Sequence, residues 1–337
     1  MKKAVPHLVQ PLAARVFAEL ADGEFHSGEE LARKLGVTRS AVWKAVEALR
    51  TLGTGMQAVR NRGYRLDTPA EPLQAARIRE ALPSAVAGKL RRLEVEWSLG
   101  STNTVLASRP APPGGRADVL LAEYQTAGRG RRGRSWLAPP GGAVCLSLSW
   151  TFPEMPRDVG ALSLAVGVCV LRALTSLGVS GVGLKWPNDI LIADRKLGGI
   201  LIELRAESGG PACVVVGIGL NVAIGKTLMD EIASTGVPPT DLVSAGISST
   251  SRNVIAAALI ERCIAGLEQF EREGLRPFVE EWRSADALRG RDVSVQSVEQ
   301  GARGLARGID LSGALLVETP QGLRKFIAGE VTVRPLA

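Results

Sequence analysis

The chain contains one run that a buried element could not accommodate, Tyr124-Gln125-Thr126-Ala127-Gly128-Arg129-Gly130-Arg131-Arg132-Gly133-Arg134-Ser135-Trp136. Four arginines alternate there with three glycines, and no acidic residue neutralises their charge. A guanidinium without a partner loses its hydration when it is buried, so the run cannot form part of a core. It indicates either a solvated basic loop or a flexible backbone that presents fixed positive charge to a phosphate-bearing ligand.

Apolar strands are predicted on both sides of this arginine loop. Residues 118–124 lead into it, and residues 143–150 follow it after a turn of prolines and glycines at 139–142. The alternation of apolar runs with turn residues predicts a mixed α/β sheet with flanking helices. The other predicted strands lie at residues 93–97, on both sides of Pro187 within 183–191, and at 200–204 and 214–219; the predicted helices lie at residues 73–82, from 101 onward, and at 158–177.

Length and composition indicate a globular protein of two or three domains. The chain has 337 residues, of which 45% are hydrophobic and 22% charged. No targeting segment is recognisable, and the longest uncharged apolar run, residues 159–171, is too short to cross a bilayer. Four widely spaced cysteines without a CxxC pair, and only two histidines, argue against a zinc site or a disulfide framework. We therefore expect buried thiols, no membrane association and a cytoplasmic location.

Positive charge is concentrated at the start of the chain. Residues 1–66 hold 11 basic and 6 acidic residues, a net +5 of the chain's +7. Helical spacing predicts helices at residues 12–20, 28–35 and 39–52, with Ser27 and Thr38 as N-caps of the second and third. Two short strands, at 56–59 and 64–66, then surround a basic turn. This order predicts a winged helix-turn-helix at residues 1–67.

The winged helix predicts a DNA-binding surface. The start of its third helix would present side chains to the major groove, and its wing would neutralise flanking phosphates. A helix-turn-helix used only for packing or for protein contacts is the alternative. The predicted DNA-binding residues are Arg39, Ser40, Trp43 and Lys44 on the helix and Arg60 and Arg62 on the wing.

Two literal motif matches are excluded. Gly128, Gly130 and Gly133 have the spacing of a dinucleotide fingerprint, but that fingerprint must open an apolar helix and here basic residues and prolines follow. Gly225-Lys226-Thr227 resembles the end of a P-loop, but Leu220 occupies the position of the earlier glycine. Neither match predicts a nucleotide site.

Three more blocks combine with the arginine loop. Ser101-Thr102-Asn103 opens a helix with three polar side chains, of which capping explains one. Lys185-Trp186-Pro187-Asn188-Asp189 and Arg195-Lys196-Leu197-Gly198-Gly199-Ile200-Leu201-Ile202-Glu203-Leu204 follow in order. Together with Gln125 to Arg134, these blocks resemble those of bacterial biotin protein ligases. With the winged helix in front, the whole chain resembles the bifunctional biotin ligase and biotin-operon repressor.

The resemblance implies an α+β fold in three parts. The winged helix occupies residues 1–67, and a ligase domain related to class II aminoacyl-tRNA synthetases occupies residues 73–286. An SH3-like barrel occupies residues 287–337. The implied reaction joins biotin to ATP as biotinyl-5′-AMP and then transfers biotin to a lysine of the biotin carboxyl carrier protein of acetyl-CoA carboxylase. The implied partners are that carrier protein and the operator DNA of biotin-synthesis genes, bound as a homodimer with biotinyl-5′-AMP as co-repressor.

The charges of the blocks suit that chemistry, because a carboxylate attacking a phosphate needs cations to suppress repulsion. The resemblance assigns catalysis to Lys196, Arg131 and Lys185, with Mg²⁺ bound through ATP near Asp189. It assigns biotin binding to Ser101, Thr102, Asn103, Gln125, Arg129, Gly130, Arg131 and Lys196. It assigns ATP or adenylate binding to Arg132, Arg134, Asp189 and Asn221. Structural roles remain the alternative for Lys185, Asp189, Arg132 and Arg134.

One departure concerns the loop at residues 222–240, which contains no aromatic residue. Val237 stands where the resemblance places an aromatic ring stacked on adenine. One alternative is therefore a ligase whose winged helix no longer regulates transcription. Another, a biotin-sensing repressor whose ligase site is inactive, is disfavoured by the full set of charged site residues. A lipoate ligase shares the fold, but the arginine loop and the winged helix argue against it.

Overall fold

The computed structural model describes residues 11–206, 210–233, 238–247, 251–296, 301–327 and 332–335. It has the three predicted parts in the predicted order, so the α+β class is confirmed. Val237, with its predicted place over the adenine, lies outside the described residues.

The first part is a helix-turn-helix with a two-stranded wing. The Oγ of Ser27 accepts a hydrogen bond from Glu30 N at 3.0 Å, and Thr38 Oγ1 accepts one from Ala41 N at 3.2 Å. Both predicted caps are confirmed, and Gly36 makes the turn between the helices at a φ of 66°. The elements are α1 Leu12–Glu19, α2 Gly28–Leu35, α3 Arg39–Thr51, β1 Met56–Val59 and β2 Gly63–Leu66.

The ligase domain is built on a seven-stranded sheet with the order β3-β4-β5-β9-β8-β7-β6. The pair β3–β4 is parallel and the other pairs are antiparallel. The strands are β3 Leu90–Leu99, β4 Ala117–Gln125, β5 Ala143–Phe152, β6 Val182–Lys185, β7 Asp189–Ile192, β8 Arg195–Ala206 and β9 Ala212–Asn221. The helices are α4 Ala75–Ala81, α5 Ser84–Ala87, α6 Thr102–Ser108, α7 Leu162–Ser176, α8 Lys226–Ala233, α9 Arg252–Glu273 and α10 Val279–Ser284.

Helix α7 is the central support of the sheet. Its side chains are mostly buried, and it packs against β6 and β8 on one side and α9 on the other. The segment Val159–Ser176 is the one in the described ranges that is long and apolar enough to cross a membrane by length and composition alone, and 61% of it is buried inside the protein. Such burial is typical of a core helix.

The sequence did not predict several helices, above all the 22-residue helix α9. Its apolar positions are interrupted by charged residues, and it becomes recognisable as an element only when it lies across α7 and α4. The buried Arg252 at its start bonds the buried carboxylate of Glu123 on β4 at 2.9 Å. Glu123 also accepts hydrogen bonds from the backbone N–H groups of Leu73 and Gly141. Tertiary contacts therefore define this helix, because its own periodicity is weak.

The C-terminal part is a five-stranded antiparallel sheet with the order β13-β12-β11-β10-β14. Its turn at Gly313 enters the ligase domain, where the carbonyl accepts a hydrogen bond from the buried indole of Trp186 at 3.1 Å. A Cβ on Gly313 would lie 2.8 Å from Ala161 and 2.9 Å from Leu164. The strands are β10 Asp292–Gln296, β11 Ala302–Ile309, β12 Leu315–Thr319, β13 Gly322–Phe326 and β14 Thr332–Pro335.

Candidate active site

The arginine loop closes over a pocket at one end of the seven-stranded sheet. The loop doubles back on itself, since Gly130 N donates to Arg134 O at 2.7 Å and Trp136 N donates to Gly128 O at 2.9 Å. The pocket brings together every predicted biotin, ATP and catalytic residue except Asn221. These lining residues are Ser101, Thr102, Asn103, Gln125, Arg129, Gly130, Arg131, Arg132, Arg134, Lys185, Asp189 and Lys196.

One group of uncharged side chains at the pocket is joined by hydrogen bonds, and its members other than Ser147 line the pocket. The Oε1 of Gln125 accepts from Thr102 N at 2.8 Å and from Thr102 Oγ1 at 3.2 Å. Ser147, fully buried on β5, lies 2.7 Å from Thr102 Oγ1 and 2.6 Å from Asn103 Oδ1. The strand order explains the grouping, because α6 follows β3 and lies over β5 and β9. Such a set of fixed donors and acceptors can recognise a small neutral polar ring.

A second group is charged and lies where β7 pairs with β6 and β8. Asp189 Oδ1 is 2.5 Å from Lys196 Nζ, and its Oδ2 is 3.1 Å from Lys185 Nζ. Burial raises the pKa of Asp189, but the two ammonium groups outweigh burial and hold that pKa below its usual value. The carboxylate is therefore ionised at neutral pH and holds both lysines at the pocket.

Arg131 is the loop arginine that reaches farthest into the protein. Its guanidinium donates to Asn188 Oδ1 at 3.4 Å, and burial lowers its pKa against the attraction of Asp189. A guanidinium keeps its charge at every physiological pH. Arg131, Lys185 and Lys196 thus bring three cations to a pocket in which Asp189 supplies one negative charge.

Sequence reasoning missed Trp136 as a pocket residue, although it ends the arginine loop. Its ring lies against two glycines of the sheet: a Cβ on Gly219 would be 2.4 Å from the ring, and a Cβ on Gly199 would be 3.6 Å from it. The indole Nε1 is buried without a partner in the described structure. The glycines at 199 and 219, which leave room for the ring, are therefore the sequence feature from which the place of Trp136 in the pocket could have been predicted.

Cys145 is a second pocket residue that was not predicted, and it is a passive one. Burial raises the pKa of its thiol to about 11, so the group stays protonated. All four cysteines are free and buried, as expected.

Asn221 remains outside the pocket lining. It is buried at the end of β9, and its Nδ2 donates to Thr240 O at 2.9 Å. It thereby joins the two ends of the loop that follows β9, which contains α8. Its contact with an adenylate stays a prediction.

The residues of the pocket do not fit a metal ion held by the protein. Asp189 is the one carboxylate in the lining, and an ammonium group occupies each of its oxygens. Across the described ranges, no cluster of three His, Cys, Asp or Glu side chains could hold a metal ion. The predicted Mg²⁺ contact of Asp189 is therefore not supported, because hard cations need free oxygen ligands.

The winged helix presents its predicted residues at the surface. Trp43, 53% exposed on α3, is a large ring without a place in the domain core. The wing arginine Arg62 lies 4.1 Å above the ring of Phe25, and Arg65 lies 4.6 Å from it. These cation–π contacts hold guanidinium groups beside the wing, where a DNA backbone would pass.

The chain matches three families in order: a helix-turn-helix domain over residues 15–65, the biotin/lipoate A/B protein ligase family over 98–221, and the biotin protein ligase C-terminal domain over 290–334. It is similar to a solved biotin protein ligase from Aquifex aeolicus in complex with biotin and ATP, at a TM-score of 0.60 and 26% identity, covering 74% of this chain and 99% of that one. The fold and the pocket thus define a protein ligase preceded by a DNA-binding domain.

Relatives that match over nearly the full length of both chains identify the family within this class of protein. The bifunctional ligase/repressor BirA of Salmonella typhimurium is 40% identical over 94% of this chain and 95% of its own length. BirA of Escherichia coli is 38% identical over 95% and 96%. A biotin–[acetyl-CoA-carboxylase] ligase of Mycobacterium tuberculosis is 34% identical over 77% of this chain. The chain belongs to the bifunctional ligase/repressor (BirA) family of biotin protein ligases.

Proposed function

We propose that the pocket joins biotin to ATP and transfers the biotinyl group to a lysine of the biotin carboxyl carrier protein of acetyl-CoA carboxylase. The observation that carries the proposal is the meeting of Arg131, Lys185 and Lys196 beside the uncharged network of Thr102, Gln125 and Ser147. The Aquifex aeolicus ligase, which holds biotin and ATP in its solved structure, supports the choice of ligands. Cationic and neutral groups in one pocket suit a ligand with a carboxylate and a polar ring.

In the first step, a biotin carboxylate oxygen attacks the α-phosphorus of ATP. A new O–P bond forms, the bond from the α-phosphorus to the bridging oxygen breaks, and pyrophosphate leaves with the electron pair. The guanidinium of Arg131 and the ammonium of Lys196 reduce repulsion between the two anions and stabilise the charge of the transition state. Mg²⁺ bound by the phosphates of ATP, rather than by the protein, would supply further charge neutralisation there.

In the second step, the neutral amine of the acceptor lysine attacks the acyl carbon of biotinyl-5′-AMP. A C–N bond forms, the C–O bond to AMP breaks, and the attacking nitrogen loses a proton. The arginine loop covers the mixed anhydride in the meantime and keeps water away from it. The glycines of the loop give the backbone the freedom that this covering requires.

Incubation with labelled biotin, ATP and the isolated carrier domain tests the ligase reaction. We expect label on the carrier lysine, and release of pyrophosphate that depends on biotin. A carrier whose acceptor lysine is replaced by arginine is the matched control and should stay unlabelled. Absence of label on the wild-type carrier would contradict the proposal.

We also infer that the winged helix represses biotin-synthesis genes, with biotinyl-5′-AMP as the co-repressor and a homodimer as the DNA-bound form. The surface position of Trp43, the cationic wing and the BirA relatives support this. A gel shift with the promoter of biotin-synthesis genes, with and without biotin plus ATP, tests it. No shift in any ligand state would leave a ligase whose winged helix does not regulate transcription.

A further inference from the structure

Glu203 on β8 connects the arginine loop to Asn103, a lining residue on helix α6 that we call the floor of the pocket. Its Oε1 lies 3.0 Å from the NH1 of Arg129, at the stem of the loop. Its Oε2 accepts a hydrogen bond from Asn103 Nδ2 at 2.9 Å. Glu203 itself is absent from the pocket lining, so neither biotin nor ATP would touch it. It is a charged side chain with one oxygen toward the loop and one toward the floor.

The floor side of this connection is rigid. Asn103 is buried, its Oδ1 accepts from the buried Ser147 Oγ at 2.6 Å, and its Nδ2 also contacts Leu201 O at 3.3 Å. A Cβ on Gly217 would lie 2.3 Å from Asn103 Oδ1, so the strand leaves room for this side chain only because a glycine stands there. The Asn103 amide therefore holds the Glu203 carboxylate in one orientation.

The loop side is anchored at the surface. The backbone of Arg129 pairs with Ser135 across the loop, so the Arg129 side chain projects from the stem of the loop. Its guanidinium, 51% exposed, reaches Glu203 on β8 and also Thr104 Oγ1 on α6, at 3.3 Å. The Arg129 side chain thereby ties the loop to two elements of the ligase domain.

We propose that Glu203 is a positioning residue that holds the arginine loop over the biotin subsite, and that the side chain of Arg129 acts on biotin through Glu203. This inference rests on the proposed ligase function and changes the part that Arg129 plays in it. The carboxylate that pairs with Arg129 lies outside the pocket lining, whereas Asp189, which pairs with Lys196, is itself a lining residue. Arg131 and Lys196 keep their proposed role at the carboxylate of biotin.

The strength of the contact suits a loop that must open and close. An ion pair with one partner half exposed is weak, so the closed loop is favoured without being locked. Loss of the pair lowers the fraction of molecules with a closed loop, and the apparent dissociation constant of biotin rises in inverse proportion to that fraction. We expect a rise of about three- to tenfold, which corresponds to roughly 0.7–1.4 kcal/mol.

A double-mutant cycle tests the inference on the full-length protein. The variants are Glu203→Gln, which keeps an acceptor for Asn103 and removes the charge, Arg129→Gln, and the two combined. Titration with biotin alone measures the dissociation constant, and initial rates give KM for ATP. We expect each single variant to weaken biotin by about three- to tenfold, the double variant to be no worse than the weaker-binding single, and KM for ATP to change by less than about twofold.

Glu94→Gln is the matched control, because Glu94, on the edge strand β3 of the same sheet, pairs with Arg109 at 2.8 Å and neither residue lines the pocket. It should leave biotin binding unchanged. Unchanged biotin binding in Glu203→Gln would overturn the inference. A variant that loses thermal stability but binds biotin as the wild type does would overturn it too. Independent, multiplying effects of the two substitutions would overturn it as well. Failure of the wild-type protein to bind biotin would instead contradict the proposed function.

Discussion

Asp189 Oδ1 lies 2.5 Å from Lys196 Nζ, on the strands β7 and β8 that form a hairpin beside the pocket. The second oxygen of the same carboxylate contacts Lys185. One partly buried acid thus sets the positions of two of the three cations that we assign to catalysis. Its place between them explains why Asp189 belongs to the site although its oxygens are not available for a metal ion.

Asp189→Asn should impair adenylate formation and destabilise the protein. The amide cannot balance two ammonium groups, so we expect a stability loss of about 1–3 kcal/mol and an adenylation rate lower by about tenfold or more. Denaturant unfolding and single-turnover kinetics measure the two effects. Glu94→Gln is the control for loss of one negative charge, because the Glu94 carboxylate lies outside the pocket. Full adenylation activity in Asp189→Asn would contradict the positioning role.

The pH dependence of the Asp189 contribution follows from its lowered pKa. A carboxyl group whose pKa is lower in the folded than in the unfolded protein stabilises the fold above its unfolded pKa of about 3.9. That contribution falls as the pH drops through the folded value. We expect wild type and Asp189→Asn to differ most in unfolding free energy at neutral pH and to converge below about pH 4. A difference in unfolding free energy that grows as the pH falls would contradict this prediction.

Asp286, between the ligase domain and the C-terminal sheet, should behave in the opposite way. Its Oδ2 is buried and has no hydrogen-bond partner among the described residues, and burial raises its pKa to about 6. The folded protein therefore gains stability from the protonated acid below about pH 4 and loses that gain as the pH rises through about 6. Asp286→Asn should be more stable than wild type at pH 8, by about 1–3 kcal/mol, with no such gain at pH 4. Equal unfolding free energies of the two proteins at pH 8 would contradict this.

The turn at Gly313 should stabilise the hairpin that carries Lys185, because the Gly313 carbonyl accepts a hydrogen bond from the indole of Trp186. Gly313→Ala adds a Cβ that would lie 2.8 Å from Ala161, at a φ of 82°. We expect a loss of about 2–4 kcal/mol together with a lower adenylation rate, because Trp186 stands next to Lys185. Gly290→Ala is the matched control: its φ is 76°, but a Cβ there would meet nothing within 4 Å. Equal losses in both variants would show that backbone strain alone accounts for the effect.

DNA binding should depend on Trp43 and the wing without affecting the ligase. Trp43→Ala removes an exposed ring, so the free energy of unfolding should stay within about 0.5 kcal/mol of the wild-type value. The affinity for operator DNA should fall. Arg60→Gln should reduce the slope of log affinity against log salt concentration by about 0.9 if it neutralises one phosphate. Fluorescence anisotropy across a salt series measures both. An unchanged salt slope in Arg60→Gln would remove that residue from the DNA contact.

Much of the site was predictable because its residues lie in compact sequence blocks. Gln125, Arg131, Lys185 and Lys196 each stand in a block of unusual composition, and the structure brings them to one pocket. Partners that are remote in sequence were not predictable. Ser147 is an ordinary serine in a buried strand, and only the pairing of β5 with β9 and the packing of α6 place it behind the lining residues Thr102 and Asn103.

The same limit applies to elements of the fold. The winged helix carries its own caps and turns, so local chemistry defined it. Helix α9 and the contact of Gly313 with Trp186 depend on packing between segments far apart in the chain. The hydrogen bond from Asn221 to Thr240 O also joins segments that are separate in the chain, and nothing in the sequence indicated it.

The most direct test of the account is biotin-dependent exchange of labelled pyrophosphate into ATP, which reports the first step without a carrier protein. Lys196→Met and Arg131→Met each remove one cation from the meeting point of carboxylate and phosphate. We predict a loss of about 100-fold or more in exchange for each, since removal of one fixed charge-stabilising donor costs roughly 10²–10³ in rate. Lys89→Met, a surface lysine paired with Glu268, should exchange at the wild-type rate. Wild-type exchange in Lys196→Met or Arg131→Met would contradict the assignment of the chemical centre.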